Sequence, residues 1–363
     1  MSAQPVRVLV VDDSALMRKL IPQILETDSS IQVVGTAMDG NFGLKKIGEL
    51  KPQVITLDLE MPGMDGLEML KEVMRRHRIP VIVVSSHSTK GAAVTLKALS
   101  LGAFDFVAKP ADVTSRMQES ARELIAKIKA AAQSRGIQIA SPDELPELEK
   151  RKKLPAAGTQ APSKVVAIGV STGGPQSLQY VLSQLPPDFP GTILVVQHMP
   201  EGFTEMFARR LDECTSLSVK EAQSGDILRG GRVLICPGSR HLKVKRLPLG
   251  DVAVLSDEPR VNGHRPSADV LFRSVAEEFG ARALGVIMTG MGDDGANGLG
   301  AIKAAGGMTI AQSEQSCVVF GMPKAAIERG HAMRVVDLQT LASTLQSQCA
   351  EVTPGRAQGA GRG

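Results

Sequence analysis

The chain has four cysteines in 363 residues, Cys214, Cys236, Cys317 and Cys349, and no C-x-x-C pair among them. That scatter argues against a structural zinc site or a disulfide framework and fits a reducing compartment. No apolar run approaches the roughly 20 residues of a membrane span. The start, MSAQPVRVLVVDD, lacks a signal-peptide pattern and turns acidic after one short strand. A cytoplasmic protein with no membrane insertion is therefore expected. Charge is nearly balanced: a net +4 does not by itself imply nucleic acid, and no basic recognition helix stands out. Read as a dinucleotide loop, the turn at 169–174 would need the spacing G-x-G-x-x-G. Gly169-x-Ser171-x-Gly173-Gly174 has the wrong spacing, and no acidic residue closes the strand expected at 192–196. What is present is an ordinary globular composition, 43% apolar and 22% charged, in a length that suggests two or three domains.

The first 132 residues alternate regularly. Strand-like runs at 6–11, 31–36, 54–57, 81–85 and 104–108 are each followed by a helical pattern, the last at about 113–132. Five βα repeats with short connections predict a parallel, doubly wound sheet with its chemistry at the carboxyl ends of the strands. Asp12 and Asp13 follow the first strand and Asp58 the third. If those strands are neighbours, the carboxylates converge, and all-oxygen ligation of that kind suits Mg²⁺. Ser85 and Lys109 end the fourth and fifth strands.

From Gln133 to Ser163 the periodicity fades into four prolines, a mixed-charge run and an Ala/Gly/Pro stretch, which reads as a linker spanning roughly 30 Å as a flexible coil. The second domain, 164–350, opens on the run at 165–170, apolar throughout apart from Gly169, as in a strand covered on both faces. A turn through Ser171-Thr172-Gly173-Gly174 leads to Pro175, which suits the first turn of a helix. Ser171 therefore lies where a strand ends and a helix begins, its hydroxyl above the sheet near backbone N–H groups that can hold a negative oxygen. His198 follows the strand at 192–196, and Asp294 lies in the loop after the strand at 284–288. A hydroxyl, an imidazole and a carboxylate on one sheet edge can form a relay in which His deprotonates Ser and the acid orients His. Short strands at 218–221, 233–236, 241–245 and 252–256 suggest a hairpin around Pro248-Leu249-Gly250. Helices are expected near 268–279, 323–328 and 338–348, and residues 351–363 read as a disordered tail.

The segment Asp58-Leu59-Glu60-Met61-Pro62-Gly63-Met64-Asp65-Gly66, with Asp12-Asp13, Ser85 and Lys109-Pro110, resembles the receiver domain of two-component response regulators. That resemblance implies a flavodoxin-like five-stranded domain with Asp58 as phosphoryl acceptor. Asp12, Asp13, Asp58 and the Glu60 backbone carbonyl would hold Mg²⁺, and Ser85 and Lys109 would form the switch. It also implies a cis Lys109-Pro110 bond and a switch aromatic, which is either Phe104 or Phe106. Residues 169–175, Gln197-His198-Met199-Pro200, residues 264–269 and residues 288–298 look like the catalytic domain of the chemotaxis protein-glutamate methylesterases, the CheB family. The implied triad is Ser171, His198 and Asp294, with Thr172 and Met291 as active-site neighbours and no cofactor for the ester chemistry. Asp293 stands where Asn is frequent, so either carboxylate could orient His198; Asp294 is chosen because it directly precedes Gly295. Residues 264–269 would line the site. The implied activities are hydrolysis of glutamyl methyl esters on methyl-accepting chemoreceptors and deamidation of receptor glutamines. A sensor histidine kinase would be the phosphoryl donor, the receiver would contact the catalytic domain within a monomer, and neither nucleic acid nor membrane would be bound.

Overall fold

The computed structural model describes residues 4–86, 88–109, 117–134 and 161–350. Most of the expected linker, the tail, the expected helix start at 113 and the Lys109-Pro110 bond lie outside the described residues.

The first half builds β1 (Val6–Val11), α1 (Ala15–Leu25), β2 (Ile31–Ala37), α2 (Gly40–Leu50), β3 (Val54–Leu57), α3 (Gly66–Arg76), β4 (Val81–Ser85), α4 (Thr89–Ser100), β5 (Asp105–Ala108) and α5 (Met117–Gln133). Its helix starts are written locally: Ser14, Asp39 and Asp65 each accept a bond from an amide of the first turn of α1, α2 and α3. The sheet is parallel, in the order β2-β1-β3-β4-β5. The order reverses between β1 and β3, which opens a crevice where Asp12 and Asp58 emerge side by side.

The second half adds β6 (Val165–Val170), α6 (Gly174–Ser183), β7 (Thr192–Gln197), α7 (Phe203–Cys214), β8 (Ser218–Glu221), β9 (Arg232–Ile235), β10 (His241–Lys245), β11 (Val252–Ser256), α8 (Ala268–Phe279), β12 (Ala283–Ile287), α9 (Ala296–Ala304), β13 (Met308–Gln312), α10 (Met322–Glu328), β14 (Arg334–Val336) and α11 (Leu338–Cys349). Seven strands form one parallel sheet, β14-β13-β12-β6-β7-β9-β8, while β10 and β11 pair antiparallel as the expected hairpin. β6 is central and all six of its residues are buried, as an apolar run covered by helices on both faces must be. β14 was not expected from the sequence. It is three residues long with Arg334 and Val335 exposed, too short and too wet to carry a strand pattern.

Helix α8 lies directly on β6 because position 169 is glycine: a Cβ there would sit 2.7 Å from Ala268 Cβ and 3.2 Å from the Phe272 ring. The two halves also touch. α4 rests on α6 and α7. Gln176 Nε2 donates to the Leu99 and Ala103 carbonyls, both at 3.0 Å, and Phe106 stacks on Phe203 with centroids 4.8 Å apart. Phe104 instead packs within the first domain, so Phe106 is the aromatic at the junction. Among the described residues no helix is long and apolar enough to cross a membrane.

The close approach at Gly169 makes a direct prediction. Gly169→Ala overpacks the β6–α8 contact and lowers stability by about 1–3 kcal/mol, read as a reduced urea midpoint for the catalytic half. A midpoint equal to the parent's would show that α8 can retreat without cost.

Candidate active site

The carboxylates expected to converge in the first half do so. One carboxylate oxygen each from Asp12, Asp13 and Asp58 lies within 4.8 Å of the others. Asp12 and Asp58 are buried and Asp13 is exposed. Lys109 Nζ donates to Asp58 Oδ2 at 2.7 Å and forms an ion pair with Asp12 Oδ2 at 3.2 Å. Burial pushes the Asp12 carboxyl up from its ordinary value; Lys109 draws it down and the neighbouring Asp58 charge adds to the rise. One ammonium against three carboxylates leaves a deficit of positive charge, and an all-oxygen donor set of this size fits Mg²⁺. The Glu60 amide donates to Asp58 Oδ1 at 3.2 Å, which puts that backbone at the edge of the cluster. Ser85 is buried, but its hydroxyl is engaged with α4: Thr95 Oγ1 donates to it at 2.6 Å.

The second cluster lies at the carboxyl edge of the seven-stranded sheet. Register places it: Val170 pairs with Gln197, so Ser171 and His198 are the next residues out on neighbouring strands. Gly169 pairs with Ile287, so the loop that follows β12 rises beside Ser171. The Ser171 amide donates to the Thr289 carbonyl at 3.0 Å, and the His198 amide to the Val170 carbonyl at 3.1 Å. Gln197 Nε2 donates to the carbonyls of Ser171 (3.0 Å) and His198 (3.2 Å), tying the two strand ends together. Position 290 is pressed so closely on Ser171 that a Cβ there would lie 2.8 Å from Ser171 Cβ, and this brings Met291 to the site. Thr172 is buried at the turn into α6, its carbonyl accepting from Thr289 Oγ1 at 2.9 Å.

His198 Nε2 lies 2.8 Å from Asp294 Oδ2. Asp294 is almost wholly buried and accepts three further bonds: Ser267 Oγ at 2.6 Å, the Ala268 amide at 2.7 Å and the Asp269 amide at 3.3 Å. Burial alone would raise its carboxyl, but His198, Ser267 and the Ala268 amide outweigh it and hold the group at about 2. Asp293 goes elsewhere: Arg329 donates to it and also bonds Asn297 Oδ1. Of the two adjacent carboxylates, Asp294 is thus the one that meets the imidazole. The other ring nitrogen, His198 Nδ1, is buried without a hydrogen-bond partner.

Three contributors had no assigned role from the sequence. His264 stacks flat on His198, centroids 4.1 Å apart and planes 3° from parallel. Burial, then the proximity of His198, lowers its pKa to about 4, so at neutral pH it covers the ring without adding charge. Ser267 bonds Asp294, 27 residues on, and Gln197 bonds the Ser171 carbonyl, 26 residues back, links that no local spacing encodes.

Residues 166–345 match the CheB methylesterase family, and residues 8–121 match the response regulator receiver domain. A protein-glutamate methylesterase/protein-glutamine glutaminase of Koribacter versatilis is 62% identical over 355 residues, covering 96% of this chain and 98% of that protein. One from Symbiobacterium thermophilum is 47% identical, covering 94% of this chain and 96% of that protein. The solved CheB methylesterase catalytic domain of Thermotoga maritima is 42% identical, with a TM-score of 0.50 over 51% of this chain and 97% of that structure. With relatives this similar over nearly its full length, the chain belongs to the CheB methylesterase family.

Proposed function

We propose that this protein is a phosphorylation-activated serine esterase of chemotactic adaptation, cytoplasmic, acting on glutamyl methyl esters of chemoreceptors and deamidating receptor glutamines. The supporting observation is the buried, unpartnered Nδ1 of His198, held by Asp294 on its far side and sitting beside the strand end that carries Ser171. In the reaction, Nδ1 takes the Ser171 proton as Oγ bonds the ester carbonyl carbon. The oxyanion is met by backbone N–H groups at the start of α6 and at Met291, each worth roughly 3 to 4 kcal/mol in the transition state. His198 passes its proton to the departing methoxide, which leaves as methanol. Water, deprotonated by the same nitrogen, then attacks the acyl-enzyme, releasing the glutamate carboxylate and restoring Ser171. Asp294 stays ionised throughout and stabilises the imidazolium. With a glutamine substrate the leaving group is ammonia, and the rest of the cycle is unchanged.

Regulation rests on the first half. A histidine kinase phosphorylates Asp58; Asp12, Asp13, Asp58 and the Glu60 carbonyl would hold Mg²⁺, which would supply the positive charge that phosphoryl transfer needs. Without the phosphoryl group the receiver sits on α6 and α7, the helices that follow Ser171 and His198, and restricts entry of the receptor helix.

Methanol release from methylated receptor membranes tests the chemistry. Ser171→Ala should fall by about 10³-fold or more and Asp294→Asn by about 10²- to 10⁴-fold. Asp293→Asn, whose partner is Arg329, should stay within about threefold of the parent. An active Ser171→Ala would remove the nucleophile. A phosphoryl donor should stimulate the parent but not Asp58→Asn, and EDTA should abolish stimulation while leaving basal hydrolysis intact. A fragment beginning at Ser163 should show higher basal activity than the full chain; equal activities would sink the inhibitory contact. Asp294 also couples stability to pH. Its folded pKa lies below the ordinary 3.8, so its contribution is complete above that value and is lost as pH falls towards about 2. The stability gap between parent and Asp294→Asn should therefore narrow across that window in acid titrations followed by circular dichroism.

A further inference from the structure

Ser267 occupies the N-cap of α8 but makes no capping bond to its own helix. A serine there ordinarily accepts from an amide of the first turn. Instead its hydroxyl donates 2.6 Å to Asp294 Oδ1, a residue 27 positions on. The first two amides of α8, Ala268 and Asp269, turn to the same carboxylate, at Oδ2 and Oδ1 respectively. The Asp294 carboxylate has therefore replaced the cap, and Ser267 is free to act on it.

Ser267 is itself fixed from behind. Its amide donates to His241 Nδ1 at 3.2 Å, and His241 Nε2 lies 3.1 Å from the Pro259 carbonyl, a pair of bonds that suits the Nε2–H tautomer. Both Ser267 and His241 are fully buried, so neither can touch a receptor helix. The start of α8 has a second anchor that does not involve Ser267: Asp269 Oδ1 accepts from the Gly298 amide of α9 at 2.6 Å. Each of the two helices thus carries a carboxylate from the other's end of the chain.

We propose that Ser267 is a positioning residue for the hydrolysis, setting the rotation of the Asp294 carboxylate so that Oδ2 faces His198 Nε2. The proposal rests on the Ser171–His198–Asp294 reading. The terminal torsion of an aspartate is broad and roughly two-fold, so the carboxylate needs donors on both oxygens to hold one orientation. Oδ2 is shared between the Ala268 amide and the imidazole. Oδ1 has only the Ser267 hydroxyl at short range, the Asp269 amide being at 3.3 Å. Loss of the hydroxyl lets the carboxylate swing, and the imidazolium formed on attack loses a correctly aimed partner. Substrate binding is untouched, because nothing at Ser267 reaches the surface.

The test uses the full chain and methylated receptor membranes. Ser267→Ala should lower kcat about tenfold with KM within about twofold, the pattern of an interaction needed only in the transition state. Ser267→Thr, which keeps the hydroxyl, should recover most of the rate. The downfield proton resonance of the His198–Asp294 bond should move upfield or broaden in Ser267→Ala, because the carboxylate no longer holds Oδ2 towards Nε2. An unchanged kcat and an unmoved resonance in a folded Ser267→Ala would overturn the proposal. So would a loss shared equally by kcat and KM that Ser267→Thr does not recover. A failure of the triad itself is separate and would appear as activity in Ser171→Ala.

Discussion

A carboxylate removed from water must be given donors, and the way Asp294 obtains them fixes the architecture around the proposed triad. Its four partners come from β7's end, from the N-cap of α8 and from the first two amides of that helix. They can meet at one side chain only if α8 lies close against β6, and that approach exists because residue 169 has no side chain. The helix end adds its own favourable field to the amide bonds, since a negative charge is stabilised at a helix N-terminus. Sheet order, helix placement and the charge state of one aspartate are thus a single constraint.

The receiver poses the same problem and leaves it open. Asp12 and Asp58 are buried beside the exposed Asp13, and one lysine serves the two buried groups. Where Asp294 is saturated with donors, this cluster is short of positive charge, and Asp12 is pushed up from its ordinary value by burial and, less, by the neighbouring Asp58 charge. A saturated carboxylate suits a fixed orienting role. An under-compensated cluster suits one that takes up a cation and then a phosphoryl group. The chain carries both kinds, on the carboxyl edges of two parallel sheets.

Most of this was legible in the sequence where the signal is local. The apolar run of β6 and the acidic pair after β1 each announce themselves within a few positions. Asp294 was chosen over Asp293 for its place before Gly295, but the physical ground of that choice, Arg329 drawing Asp293 away from His198, is not local in sequence. The choice between Phe104 and Phe106 was not legible, because it depends on where Phe203 lies. β14 escaped for a different reason: three half-wet residues at a sheet edge have no periodicity to detect. Ser267 was expected only to line the site with its neighbours, and only the fold shows its hydroxyl aimed at a distant carboxylate.

The contact between the halves gives the proposed regulation a physical route. Ser85, at the end of β4, accepts a bond from Thr95 of α4, the helix that rests on α6 and α7. Phosphorylation of Asp58 adds about 1.5 to 2 negative charges and three acceptor oxygens within the crevice. In the proposed route, a Ser85 hydroxyl that moves towards those oxygens weakens the bond it accepts from Thr95, one of those that hold α4 in its present place. Phe106, one strand over, stacks on the Phe203 ring at the start of α7. A phosphoryl group can shift the docked equilibrium only by the difference in its stabilisation of the two states. The proposed route places that difference at Ser85, whose hydroxyl accepts a bond from α4 in the docked arrangement.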